Sequence, residues 1–248
     1  VKKTLIYAHR GASKIAPENT LPAYQLASES GADGLEIDVQ LTKDRVPVII
    51  HDESVHRTTN GTGFVQDYTL EQMKKLDAGS WFSTNFSDCS ILTLDEFLCW
   101  FQPLSMVLNV ELKTNVIEYK DIELIVYNAL KHHQMLDRTV LSSFNLNSIT
   151  KIHDIDPNVQ TAFLTSTKRY NLEKFAKHHG ASSLHVKYRL LDKRLVKQCH
   201  SISMPIRVYT VNRPLYMQKC FKLRCDGIFT DVPHEAVEYR QKFQNRGD

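Results

Sequence analysis

At 248 residues the chain is long enough for one large α/β domain or two small ones, burying roughly three quarters of its unfolded surface. Hydrophobic residues at 42% and charged residues at 24% exclude a disordered chain, and 31 Lys plus Arg against 28 Asp plus Glu, a net +3, is too balanced to mark a nucleic-acid binder. Five cysteines without C-x-x-C or C-x-x-H spacing argue against a disulfide framework and a thiolate zinc site. With no apolar run near the roughly 18 residues that span a bilayer, a cytoplasmic setting is expected, provided that no leader was removed ahead of Val1.

In chain order, short apolar strands are expected at 4–8, 34–41, 106–112, 139–144, 160–165, 182–186, 206–211 and 226–230. Between them lie helical stretches. The first is TLPAYQLASES, with Asn19 as its N-cap and Gly31 as its C-terminal stop; others are expected at 118–132, 145–153, 171–178, 192–201, 214–222 and 233–242. Strand and helix alternating eight times give a (β/α)₈ barrel, with a doubly wound open sheet as runner-up. The chain reads as one domain, 1–248, interrupted after the second strand by an insertion at about 52–105. VPVII at 46–50 follows VQL too closely for a parallel crossover and must return antiparallel. If Lys43 and Asp44 form the turn, His51 faces Glu36 and Ile49 faces Asp38. The insertion carries Asn60-Gly61 turn chemistry, a short helix capped by Thr69, and the aromatics Trp81 and Phe82.

In GLEIDVQL, Leu35, Ile37, Val39 and Leu41 form one alternating set and Glu36, Asp38 and Gln40 the other. Such alternation also suits an edge strand with one solvated face. What weighs against that reading is where other strands end: the first in His9-Arg10-Gly11, the return strand in His51-Asp52, and the third in NVELK with Glu111 and Lys113. Barrels place functional groups at the C-terminal ends of their strands. Three carboxylates aimed at one barrel mouth repel one another unless a cation compensates. All-oxygen ligation by Glu36, Asp38 and Glu111 suits one hard divalent ion, Mg²⁺ or Ca²⁺. Two histidines beside such a site, with Arg10 and Lys113 as fixed cations, suit acid/base catalysis of phosphoryl chemistry. His185 is a further candidate for the mouth; His56, His132, His133 and Cys225 read as structural or surface residues.

The motifs H-R-G (9–11), P-E-N-T (17–20), E-x-D (36–38), H-D (51–52) and E-x-K (111–113), with the later SSF and DGIFTDVP, closely resemble the glycerophosphodiester phosphodiesterase family over essentially the whole chain. The resemblance implies a metal-dependent TIM barrel that hydrolyses glycerophosphodiesters to glycerol 3-phosphate and an alcohol. It implies His9 and His51 as the acid/base pair, Glu36, Asp38 and Glu111 as metal ligands, and Arg10 and Lys113 as phosphate holders. Glu18 joins them as a substrate-binding candidate, and Tyr209 stands where members often show W-T-V-N and supplies an aromatic wall. A phospholipase D-like reaction on lysophospholipid or sphingomyelin would need an apolar mouth, for which Phe64, Trp81, Phe82, Phe86 and Trp100 are available. A catalytically silent barrel would lack a histidine or a carboxylate, and none is missing.

Overall fold

The computed structural model describes residues 3–244. Its elements, in chain order, are β1 (Leu5–His9), α1 (Leu21–Glu29), β2 (Gly34–Leu41), β3 (Pro47–Ile49), α2 (Leu70–Met73), α3 (Leu94–Phe101), β4 (Val107–Leu112), α4 (Ile122–His132), β5 (Thr139–Ser143), α5 (Leu146–Ile155), β6 (Gln160–Thr165), α6 (Leu172–His178), β7 (Ser183–Lys187), α7 (Lys193–Ser201), β8 (Ile206–Tyr209), α8 (Pro214–Lys222), β9 (Gly227–Thr230) and α9 (Pro233–Gln244). Eight strands run parallel and close on themselves: Tyr7 of β1 pairs with Gly34 of β2 on one side and with Phe229 of β9 on the other. That double pairing makes a TIM barrel and removes the open-sheet alternative. Among the described residues no helix is long and apolar enough to cross a membrane.

The strand β2 is buried along its whole length, unlike an edge strand with a wet face. Leu35, Ile37, Val39 and Leu41 join the main core with Tyr24, Phe97 and Phe101 from the surrounding helices. The opposite set, Glu36, Asp38 and Gln40, is buried too and must find partners or pay heavily in desolvation.

Three local expectations need correction. The N-cap of α1 is Thr20, with no side-chain cap, whereas Asn19 takes a left-handed backbone (φ 58°) and spends its side chain elsewhere. The β2–β3 register is slipped by one: Val39 pairs with Ile49 and the Ile50 N–H donates to the Asp38 carbonyl, so Ile49 does not face Asp38 nor His51 Glu36. The turn holds three residues rather than two. Thr42 and Val46 close it, the Thr42 hydroxyl accepts from the Val46 N–H, and Arg45 takes the left-handed position (φ 64°) that a longer hairpin loop requires. Finally, α3 is a second helix inside the 52–105 stretch, for which only the short helix capped by Thr69 is expected. Thr93 and Glu96 form its capping box, and Leu94, Phe97, Leu98 and Phe101 bury one stripe in the main core.

Between β3 and α3 a small second core of Val48, Ile50, Val55, Val65, Met73, Ala78 and Ile91 holds the extra segment together. Thr69 caps α2 with a full capping box, as its spacing predicts.

Candidate active site

A cavity of about 250 Å³ opens where β1, β2 and β4 to β9 end, and His9, Arg10, Glu36, His51, Glu111 and Tyr209 all line it. Closure of the barrel brings these residues together from segments two hundred positions apart. Lys113 stands behind Glu111, its ammonium 2.9 Å from that carboxylate and 4.0 Å from Asp38.

The three carboxylates form one cluster: an oxygen from each of Glu36, Asp38 and Glu111 lies within 4.8 Å of the others. Asp38 is fully buried; one oxygen accepts from the Asn19 amide at 2.9 Å and lies 3.1 Å from the Arg10 guanidinium. Burial opposes its ionisation, but Arg10, His51 and Lys113 outweigh that and hold Asp38 below the ordinary carboxylate range. Glu36 responds in the other direction: burial, then the Asp38 and Glu111 charges, push it well above that range. Two carboxylate oxygens, Oε1 of Glu36 and Oδ1 of Asp38, are buried without any hydrogen-bond partner. Buried orphan acceptors are costly. All-oxygen donors with two vacant lone-pair sites fit a hard divalent cation, which would supply the missing positive charge.

Each histidine is backed by an acid. His9 Nδ1 is 2.7 Å from Asp231 Oδ1, and Asp231 also accepts from Ser13 (3.2 Å) and Asn212 (2.6 Å). Burial opposes ionisation of Asp231, and the bond from His9 leads the effects that keep it below the usual range. His51 Nδ1 is 2.5 Å from Asp52 Oδ1. Arg57 donates to both Asp52 oxygens, at 2.6 and 3.1 Å, and this bond brings the Asp52 carboxyl down to about 2. The same guanidinium grips Glu18 with two bonds of 2.8 Å, and Glu18 accepts in turn from Arg10 at 2.9 Å. His51, Asp52, Arg57, Glu18, Arg10 and Asp38 therefore form one continuous chain of contacts. Gln40, the third polar residue of β2, reaches the carbonyls of Ile50, His51 and Asp52 and is held by the Tyr119 hydroxyl at 2.9 Å. It pins the loop that presents His51.

Backbone shape matters at the first strand end. Arg10 is left-handed (φ 59°), and its N–H is shared between the Glu36 backbone carbonyl and carboxylate. Gly11 follows at φ 86°, where a Cβ would sit 2.7 Å from the Ala23 backbone. Only glycine fits that approach.

Several site features escape sequence reasoning. Asp231 and Asp52 lie within the D-V-P and H-D motifs, yet nothing local says which histidine each serves. Asn19, readable as a cap, instead bridges Asp38 and the Tyr24 hydroxyl. Arg57 carries no motif signal. His185 does not line the cavity: it is fully buried against Arg207 and Phe229, and burial, then the Arg207 charge, keeps it well below the ordinary imidazole range. None of Phe64, Trp81, Phe82, Phe86 and Trp100 lines it either; the apolar wall is Phe144, Leu164, Tyr188, Tyr209 and Phe229. Trp100 packs on Tyr24 and Phe97, and Trp81, Phe82 and Phe86 pack on one another.

Residues 9–235 match the model of the glycerophosphoryl diester phosphodiesterase family. A glycerophosphodiester phosphodiesterase from Caldanaerobacter subterraneus is 40% identical over 240 residues, covering 97% of this chain and 99% of its own. One from Bacillus altitudinis is 38% identical over 244 residues, covering 97% and 100%. An Oleispira antarctica phosphodiesterase, solved in complex with the product sn-glycerol-3-phosphate, superimposes with a TM-score of 0.88 at 29% identity, covering 96% of each chain.

Proposed function

Since the chain belongs to the glycerophosphoryl diester phosphodiesterase family, we propose that it hydrolyses glycerophosphodiesters to glycerol 3-phosphate and an alcohol by two-histidine acid/base catalysis beside a carboxylate-held divalent cation. It is an enzyme, a phosphodiesterase; the reaction's residues and cofactor are our reading. The observation that carries this reading is the pairing of His9 with Asp231 and of His51 with Asp52 in one cavity with the three-carboxylate cluster.

Both imidazoles use Nδ1 on their acids, which leaves Nε2 of each for the substrate. One Nε2 takes the proton of the glycerol hydroxyl next to the ester, and that oxygen bonds to phosphorus as the bond to the departing alcohol breaks. The other histidine gives its proton to the leaving oxygen. Water then opens the resulting cyclic phosphate with the two roles exchanged. Well-aligned internal attack gains effective molarities up to about 10⁵–10⁸ M; direct attack by water is the rival route. Glu36, Asp38 and Glu111 would hold Mg²⁺ or Ca²⁺, which when bound offsets negative charge on the phosphoryl oxygens. Arg10 orients the phosphate from the cavity wall, Lys113 adds positive charge from behind Glu111, Glu18 sets the Arg10 guanidinium, and Tyr209 walls the leaving-group side. The stretch at about 52–105 belongs to the same single domain and supplies Arg57. The cysteines are all free thiols, in keeping with a reducing, cytoplasmic setting.

The test is glycerol 3-phosphate release from a panel of glycerophosphodiesters, using chelated and metal-restored protein with bound metal measured alongside. Turnover should vanish on chelation and return with Mg²⁺ or Ca²⁺, and His9→Ala or His51→Ala should lower kcat by at least about 10²-fold. A full rate without metal would refute the cofactor assignment. An analogue lacking the vicinal hydroxyl should bind but hardly react; normal turnover would eliminate the cyclic route.

A further inference from the structure

We propose that a basic pocket next to the catalytic cavity is a second anion subsite, which takes a phosphate carried by the alcohol part of the diester; this rests on the phosphodiesterase reading above. The pocket holds about 250 Å³, and Lys168, Arg169, Asp192 and Arg194 supply its charges. It is built by the loops that follow β6 and β7 together with the start of α6 and the first turns of α7, which carries Arg194. The same two strands end in the catalytic cavity, through Leu164 and Lys187. Tyr188 lines the cavity and Leu190 lines the pocket, and both belong to the single 3₁₀ turn Tyr188–Leu190, which rises about 2 Å per residue. The two hollows thus share one thin wall.

The charges of this pocket are unbalanced. Three cations face one acid, and an Asp192 oxygen is already used, accepting the Leu195 N–H at 2.8 Å to cap α7. Among the described residues Lys168, Arg169 and Arg194 make no ion pair, nor does Arg189 on the shared turn, whose guanidinium is tied to the Ser166 carbonyl at 3.3 Å. Arg169 is not a loose surface chain: its guanidinium lies 3.6 Å from the centre of the Phe175 ring, which is itself packed on Phe163 and His179. A concave site with several cations and little negative charge attracts an anion and concentrates it locally. A diester with its phosphorus between His9 and His51, and its alcohol running past Tyr188, delivers that anion on the substrate itself. The favoured substrates are therefore glycerophosphodiesters whose alcohol bears another phosphate.

A matched pair tests this: glycerophosphoglycerol, and bis(glycerophospho)glycerol, which adds one glycerophosphate on the leaving side. The unaltered enzyme should show a KM about tenfold lower for the longer substrate, the scale of a few partly exposed charge contacts acting together. That preference exceeds the statistical factor of two from its equivalent ends, and it should shrink at high salt. The double variant Lys168→Glu with Arg194→Glu should lose the preference while keeping kcat on glycerophosphoglycerol. A KM ratio no greater than the statistical factor, or one that survives the double substitution, would overturn the subsite. So would a variant that loses only its adhesion to phosphatidylglycerol vesicles, since the cations would then face lipid. If the unaltered enzyme turns over neither substrate, the phosphodiesterase reading fails, and equilibrium binding of bis(glycerophospho)glycerol to the two proteins decides the subsite separately.

Discussion

Replacing Arg57 by Ala should impair catalysis although this residue does not line the catalytic cavity. Its guanidinium makes four bonds, two to Asp52 behind His51 and two to Glu18 beside Arg10, so its removal loosens both the imidazole and the phosphate-holding cation. Arg57 is 42% exposed, and solvent screening limits the stability loss to about 1–2 kcal/mol. The effect on rate is larger, because small misplacement of a catalytic group costs up to about 10²-fold. We expect kcat to fall by about 10- to 100-fold with KM changing less. The pH profile gives the sharper readout. With Arg57 present, Asp52 keeps its charge down to about 2; without it the carboxyl moves up toward the ordinary value of about 3.9. A depressed carboxyl supports the folded arrangement above its unfolded pKa and gives up that support as pH falls through its folded one. The support from Asp52 is thus lost at higher pH in the variant, and the ratio of variant to unaltered kcat should drop between roughly pH 5 and pH 3. Arg57→Lys should rescue part of the rate, since an ammonium cannot grip both acids in a fork. Unchanged kcat and an unchanged pH profile in Arg57→Ala, measured by glycerol 3-phosphate release, would refute this positioning role.

Asn19→Ala removes the amide on Asp38 and places alanine in a left-handed backbone, so a loss of about 2–3 kcal/mol is expected in denaturant melts; Asn19→Gly should recover the backbone part but not the amide on Asp38, so under the proposed cofactor assignment it should still lose added divalent ion faster than the unaltered protein on dialysis. Asp33 joins Lys3, the Ile6 N–H and Arg240, tying β1 to α9, and Asp33→Asn should cost about 2 kcal/mol at neutral pH. Burial opposes its ionisation, but the bonds from Arg240, Lys3 and Ile6 depress its pKa, so its contribution is present above the unfolded value of about 3.9 and the difference between the two melts should narrow as pH falls through the depressed folded value. Trp81→Ala should lower thermal stability modestly with relative rates on different head groups unchanged, because Trp81 contacts Phe82 and the Ala78 carbonyl rather than the cavity; a changed substrate order would contradict this.

The eight barrel strands were legible because each is a short apolar run between helical stretches, and β2 and β6 have the bounds their patterns suggest. Glu36, Asp38 and Glu111 were legible as a group because a strand's period of two puts acids two apart on one face, and barrel strands end together at one rim. Where one residue's backbone choice sets the outcome, pattern was insufficient. Arg45 taking the left-handed position adds a residue to the turn and slips the β2–β3 register; Asn19 doing the same gives the cap to Thr20 and frees its amide for Asp38. The α3 capping box was readable in T-L-D-E but was hidden by the length of the surrounding segment.

The sequence by itself determined the fold class and the set of chemical groups at the strand ends, because hydrophobic periodicity and residue type are local properties. Only the tertiary structure decided which acid stands behind which histidine. Asp231 reaches His9 because β9 pairs with β1 to close the barrel, 222 positions away, and Arg57 couples Asp52 to Glu18 because the segment after β3 folds back over the rim. Such contacts depend on closure and on the path of a loop, and neither leaves a periodic mark in the chain.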